Sequence, residues 1–278
     1  MPLQFDIPAI LRRKAPNAKV PRFVVRYLER ITHVKEMNAF LRKYPDLRGY
    51  DFIRLVIREE LGCSASITGT ENIPTDDQPV IFVSNHPLGG LDGMIIAELI
   101  HQTRPDKELK VIVNELLMFM EPIADLWAPV NKVGRLSREQ VEQQQQMWNS
   151  GCDVLTFPAG ACSRLQRFDG KWQIRDLEWH KNFVQRAREY KRNIVPIYFE
   201  GRNSTFFYTL AFLRKLFGIK LNIEMLYLVD EMYGAHGKHF RVHVLPPIPY
   251  TTFDNSRTPS EWAEYVKSIV YATNHTTH

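Results

Sequence analysis

From Gly62 onward, short β-branched runs alternate with segments of helix length, and no other feature constrains the fold as tightly. "SASITG", "QPVIFVSN", "ELKVIVN", "CDVLTFPAG", "NIVPIYFEG" and "HFRVHVLPPIPY" read as strands bounded by turn formers, and "APVNKVGR" as a shorter one. Between and after them, "LDGMIIAELIHQ", "ELLMFMEPIADLW", "SREQVEQQQQMWNSG", "EWHKNFVQRAREYKR", "STFFYTLAFLRKLFG" and "SEWAEYVKSIVYATN" read as helices. The second of these carries an internal proline, and the third has Ser137 as its cap and Gly151 as its stop. Parallel strands need crossovers of this length, so the pattern predicts an α/β fold with a mostly parallel sheet flanked by helices.

Residues 1–62 have a different texture. "VPRFVVRYLERITHV" sets Phe23, Val24, Tyr27, Leu28 and Ile31 at helical spacing, with Arg22, Arg26 and Arg30 on the other side. "YDFIRLVIREELG" repeats the style and stops at Gly62. The chain therefore divides into a basic amphipathic helical segment, 1–62, and an α/β domain, 63–278. The segment either packs on the main domain or lies on an anionic membrane with its apolar face down.

The net charge of +5 admits three kinds of partner: nucleic acid, an anionic membrane surface or acidic small molecules. Nucleic acid fits worst, because the bases do not interleave with aromatics on a recognised module. No apolar run approaches the ~18 residues of a membrane span, and the N-terminus reads as no signal peptide. The expected location is the cytoplasmic face of a membrane, as a peripheral protein with no transmembrane helix. Cys63, Cys152 and Cys162 are widely spaced and form no C-x-x-C pair, which argues against a zinc site or a disulfide framework. No metal-ligand set is apparent, and no cofactor is expected.

In α/β sheets of this kind, sites collect beyond the carboxyl ends of the strands. Three strands here end in polar, glycine-bearing turns: "IFVSNHPLGGLDG", "LTFPAGACSR" and "PIYFEGRNS". In the first, His86 follows the strand and Asp92 opens the next helix. A neutral imidazole can take a proton from an attacking hydroxyl, while a carboxylate on its other nitrogen fixes the tautomer and stabilises the imidazolium. Gly89 and Gly90 would let the chain fold back so that the two side chains meet. The alternative is that Asp92 only caps a helix and His86-Pro87 shapes a turn. In "FPAGACSR", Pro158 and Gly160 make a tight turn whose backbone N–H groups could hold an oxyanion, and Arg164 could grip an anion. Cys162 has no neighbouring base and reads as a bystander thiol. There is no G-x-S-x-G elbow, Walker A loop, H-E-x-x-H or G-x-G-x-x-G.

With these turns in this order, the chain resembles the glycerolipid (lysophospholipid) acyltransferase family. The family's H-x4-D block is similar to "NHPLGGLD", with His86 and Asp92 matching; its F-P-E-G-T-R-S-R block resembles "FPAGACSR"; and its V-P-V strand resembles "IVPIYFEGRNS". "WAPVNKVGR" stands at the remaining block, with Arg135 as its arginine. The wider wording resembles a bacterial, hemolysin-like subgroup, some of whose members acylate amino-acid lipids.

The resemblance implies transfer of an acyl chain from acyl-CoA or acyl carrier protein to a hydroxyl of a lyso-type lipid. It implies His86 as base, Asp92 orienting it, and a basic helical N-terminus on the membrane. The substrate-binding set it suggests is Asn85, Arg135, Gly160, Ser163, Arg164, Glu200 and Arg202. Two departures stand out. The first block has five intervening residues, and the third block's glutamate and first arginine are Ala159 and Cys162. The second departure weighs against a plain lysophosphatidate acceptor and toward a carboxylate-bearing one, such as an acylated amino acid with a hydroxy fatty chain. An esterase or thioesterase using the same His–Asp pair, and a non-catalytic lipid-binding relative, are the alternatives.

Overall fold

The computed structural model describes residues 4–14, 20–114, 121–130, 138–219 and 221–273. Seven strands form one sheet: β1 (Ser64–Thr68), β2 (Ile81–Ser84), β3 (Leu109–Asn114), β4 (Trp127–Val130), β5 (Asp153–Thr156), β8 (Ile194–Glu200) and β9 (His239–Val244). Their spatial order is β1-β9-β8-β2-β5-β3-β4. The run from β8 to β4 is parallel throughout, β9 is antiparallel to β8, and β1 is parallel to β9. Every residue of β2 and β5 is buried, as expected for parallel strands covered on both faces. The mostly parallel α/β sheet read from the alternation is the one observed.

One face of the sheet is covered by α5 (Leu91–Thr103), a helix apolar nearly all round and so needing partners on two sides. It lies between the sheet and the N-terminal helices. Phe40 and Leu41 from α3 (Val34–Lys43) and Phe52 and Ile53 from α4 (Gly49–Leu55) share one core with Ile96, Leu99 and Ile100 of α5. The chain runs from α4 into a single π turn, Val56–Glu60, and leaves it through Gly62 at φ +57°. Ahead of these, α1 (Ile7–Lys14) and α2 (Arg22–Ile31) are more peripheral, and Ile31 is the buried residue of α2.

The opposite face is covered by α7 (Asn182–Glu189) and α10 (Pro259–Ala272), whose Phe183, Val184, Val266 and Val270 pack on Ile81, Val83 and Val154. A capping box between Thr258 and Glu261, with Pro259 at the first helical position, starts α10. At the end of the sheet away from the glycine-bearing turns, buried Arg104 donates to Asp153 at 2.7 Å, and Asp153 also accepts from the Val80 N–H at 2.9 Å. The remaining helices are α6 (Arg138–Asn149), α8 (Thr205–Leu216), begun by the Ser204 side chain, and α9 (Leu228–Tyr233).

One local expectation changed, one lies outside the described residues, and one element is new. Within "ELLMFMEPIADLW", residues Glu121–Leu126 form 3₁₀ turns rather than an α-helix, broken at Ile123 (φ −125°) directly after Pro122, while 115–120 lie outside the described residues. The helix cap read at Ser137 also lies outside them. A hairpin not anticipated from sequence follows β5: β6 (Arg164–Phe168) and β7 (Lys171–Arg175) pair antiparallel around Asp169 (φ 49°) and Gly170 (φ 72°). Positive φ at both central residues is the turn that an Asp-Gly pair favours. Among the described residues no helix is long and apolar enough to cross a membrane, and the three cysteines are all buried and unpaired.

Candidate active site

Because β8, β2 and β5 are neighbours running the same way, the three glycine-bearing turns emerge side by side at the carboxyl end of the sheet's centre. Asn85, the first residue past β2, spans the gap to β8. Its side-chain amide donates to the Phe199 carbonyl at 2.9 Å and accepts from the Phe199 N–H at 2.7 Å. It behaves as an extra peptide of the ladder and fixes where His86 begins.

His86 Nδ1 lies 3.1 Å from Asp92 Oδ2, so the fold closes the contact across five intervening residues. The turn achieves this by folding its backbone around the carboxylate. Oδ2 accepts from the N–H groups of Leu88 (2.9 Å) and Gly89 (3.4 Å), and Oδ1 from those of Gly90 (3.0 Å) and Gly93 (2.9 Å). Gly89 sits at φ +78°, and a side chain there would meet Leu228 at 2.9 Å and Cys162 at 3.2 Å, so glycine is needed twice over. Asp92 is wholly buried. Burial pushes its carboxyl up, yet the opposing pull of His86 and of the Leu88 and Gly93 N–H groups leaves it below the ordinary carboxylate range. An ionised carboxylate only accepts, so Nδ1 carries the proton and the basic nitrogen of the neutral ring is Nε2. The ring also stacks on Phe157 from the second turn, with centroids 4.2 Å apart.

The backbone of His86 is clamped on both sides. Its N–H donates to Asp176 Oδ1 at 3.2 Å, and its carbonyl accepts from the Ser163 N–H at 2.8 Å. Ser163 Oγ donates to the same Asp176 oxygen at 2.6 Å, and Trp179 Nε1 to the other at 2.8 Å. Burial raises the Asp176 carboxyl above its ordinary value, against the pull of these donors. Asp176 is the residue that sequence reasoning missed. It leaves the β6–β7 hairpin, and the Asp169-Gly170 pair is the signal that would have exposed that hairpin and its exit.

The other residues singled out from sequence divide. Gly160 (φ +62°) turns the chain, and its N–H donates to the Phe157 carbonyl at 2.9 Å rather than pointing out of the turn toward an oxyanion. Arg164 is buried and donates to Glu224 at 2.8 Å, while Arg214 lies 2.9 Å from the other oxygen of that carboxylate. Its guanidinium is thus already held by a buried acid. Glu200 faces away, toward β9, where it accepts from Arg241 at 2.6 Å. Arg202 is exposed on the turn after β8. Arg135 lies outside the described residues. Cys162 is wholly buried; burial pushes its thiol up to about 11, against the pull of Arg164, so it is no nucleophile at neutral pH. Among the described residues no group of histidine, cysteine, aspartate and glutamate side chains could hold a metal ion.

Such a site can abstract a proton from a hydroxyl at Nε2 and hold the resulting imidazolium against Asp92. Comparison with known proteins narrows the class of reaction. A family model described as acyltransferase matches residues 9–277. A lyso-glycine lipid O-acyltransferase of Bacteroides thetaiotaomicron is 44% identical over 268 residues, covering 96% of each chain. A protein of the same name from Phocaeicola vulgatus is 42% identical, covering 96% of this chain and 94% of that one. Among solved structures, the 1-acyl-sn-glycerophosphate acyltransferase PlsC of Thermotoga maritima aligns with a TM-score of 0.47 at 14% identity, over 98% of this chain and 90% of that one.

Proposed function

The chain belongs to the acyltransferase family and is an acyltransferase, and on that premise we propose that it moves a fatty acyl chain from a thioester to a hydroxyl of a lyso-type glycine lipid, with His86 as general base. The reading is carried by the His86–Asp92 contact: Nδ1 is committed to a buried carboxylate, which assigns proton abstraction to Nε2. Nε2 takes the hydroxyl proton as the oxygen attacks the thioester carbonyl. The tetrahedral oxyanion then collapses, the C–S bond breaks, and the imidazolium returns its proton to the departing thiolate. A positioned base of this kind contributes about 10²–10⁴ in rate.

The acceptor follows from the second turn and from the relatives' name. Where the resembling family carries a glutamate and an arginine, this chain has buried, uncharged Ala159 and Cys162, and Arg164 is balanced by Glu224. That leaves little cationic capacity for a phosphate dianion and suits a single carboxylate, to which we assign exposed Arg202. Glycine has no hydroxyl, so the hydroxyl that is O-acylated must belong to the chain amide-linked to its nitrogen. The acceptor is an N-(hydroxyacyl)glycine, and the enzyme works at the membrane that holds it.

The test is turnover by purified protein with acyl-CoA or acyl carrier protein as donor, and N-(hydroxyacyl)glycine, lysophosphatidate or water as acceptor. The expected product is the O-acylated glycine lipid, made by the parent and not by a folded His86→Ala variant. Near-normal turnover in that variant would overturn the role of His86. Turnover of lysophosphatidate with none of the glycine acceptor would overturn the substrate. Free fatty acid formed regardless of acceptor would make the protein a hydrolase.

A further inference from the structure

Beside the catalytic turns, α8 and the segment after it present large apolar side chains that the rest of the described chain leaves uncovered. Leu216, Phe217 and Leu221 are 66%, 73% and 70% exposed. The surface does not end with that segment. Trp172, near the tip of the β6–β7 hairpin, meets Phe212 edge-on at 6.4 Å. On the other side Phe206 meets Tyr227 at 5.0 Å, and the Tyr227 hydroxyl hydrogen-bonds that of Tyr27 on α2. Three elements far apart in sequence thus form one apolar surface, more than scattered surface hydrophobics would give.

Its charge is mostly basic. Between Gly201 and Ile223 the chain carries Arg202, Arg214, Lys215 and Lys220 and no acid, with Arg214 held by Glu224, while Glu29 on α2 and Asp169 at the hairpin tip are its acids. Inward, the same segment supports the site: Glu224 holds Arg164, and Leu228 packs where a Gly89 side chain would stand. Protruding apolar side chains with a basic excess in the same segment match the surface of an anionic bilayer, where apolar burial and electrostatic attraction add. We infer that this face, built from α8, residues 217–219 and 221–226, the hairpin tip and α2, seats the enzyme on an anionic membrane with the catalytic turns one layer behind the contact. The inference deepens the lipid-acceptor reading and rests on it. It also moves the contact from the first 62 residues alone to a surface centred on α8.

The test uses the full chain and the double variant Phe217→Ser/Leu221→Ser. Sedimentation with vesicles of phosphatidylglycerol and phosphatidylcholine is compared with phosphatidylcholine alone, and turnover is followed in parallel on a short-chain acceptor that needs no membrane. The parent should favour the anionic vesicles, and the double variant should bind them about 10- to 100-fold more weakly. Its kcat on the soluble acceptor should be unchanged. Leu177→Ser, an exposed leucine of the same kind on another part of the surface, should leave vesicle binding as it was. Equal partitioning of parent and double variant overturns the inference, as does a parent that ignores vesicles while turning over the soluble acceptor. Vesicle binding without turnover of any acceptor would instead count against the proposed reaction. If the variant raises only the KM for acyl carrier protein and not for acyl-CoA, the face belongs to an acidic carrier protein and the membrane assignment fails.

Discussion

Replacing Asp92 by asparagine separates a base-orienting carboxylate from a mere turn-holding one. The carboxylate accepts from four backbone N–H groups and from His86 Nδ1, and asparagine offers one acceptor oxygen and one NH₂ group. If its oxygen takes the Oδ2 position, the NH₂ faces the Gly90 and Gly93 donors. If the NH₂ takes that position, it faces Leu88 and Gly89 and donates to His86, forcing the proton to Nε2 and removing the base. In the first orientation the ring keeps its tautomer but loses the charge that stabilises the imidazolium. Unsatisfied buried donors cost about 1–3 kcal/mol each, and partial relaxation makes a total loss of about 2–4 kcal/mol reasonable. Turnover should fall about 10²–10⁴-fold. Urea unfolding gives the first quantity. The second comes from thiol release under saturating substrates, well below the unfolding midpoint, with circular dichroism reporting the folded fraction. A variant that loses the expected stability yet keeps kcat within about fivefold of the parent would show that Asp92 only holds the turn.

Asp176→Asn should lower kcat about tenfold while leaving both KM values within about twofold, because the clamp positions His86 without reaching substrate; a purely structural role would lower stability alone. Gly89→Ala should cost about 2–4 kcal/mol through its positive φ and the encroachment on Leu228, and Leu228→Ala in the same chain should recover part of that loss, as paired denaturation curves can measure. Asp92 also predicts an acid limb to stability. Its folded carboxyl titrates below the unfolded value of about 3.9, so its contribution is complete above that pH and disappears as pH falls through the folded value; the limb should be shallower in Asp92→Asn.

The sheet was legible in the sequence because its central strands are buried on both faces and therefore read as continuous apolar runs between turn formers. That the three turns share the carboxyl end of the sheet was legible because helix-length crossovers imply parallel strands, whereas the order that sets β8, β2 and β5 side by side was not. Side-chain commitments were not. "FPAGACSR" gives no sign that Arg164 meets Glu224, sixty residues on, nor that the Gly160 N–H closes its own turn. "NIVPIYFEG" does not disclose that Glu200 pairs across to Arg241 on an antiparallel neighbour. The hairpin carried a readable signal in Asp169-Gly170, yet its strands are short and mostly polar on the outside, so periodicity alone did not mark them.

The burial of Cys63, Cys152 and Cys162 has a practical side. An acyl transfer from a thioester liberates a thiol, which is most simply followed with a chromogenic disulfide or maleimide. In the native enzyme all three sulfurs are shielded from such reagents, so the optical signal should report product without background from the catalyst. The same shielding turns the protein into its own unfolding reporter. Labelling that begins only when the chain opens, with a stoichiometry of three, would time global opening without any added probe.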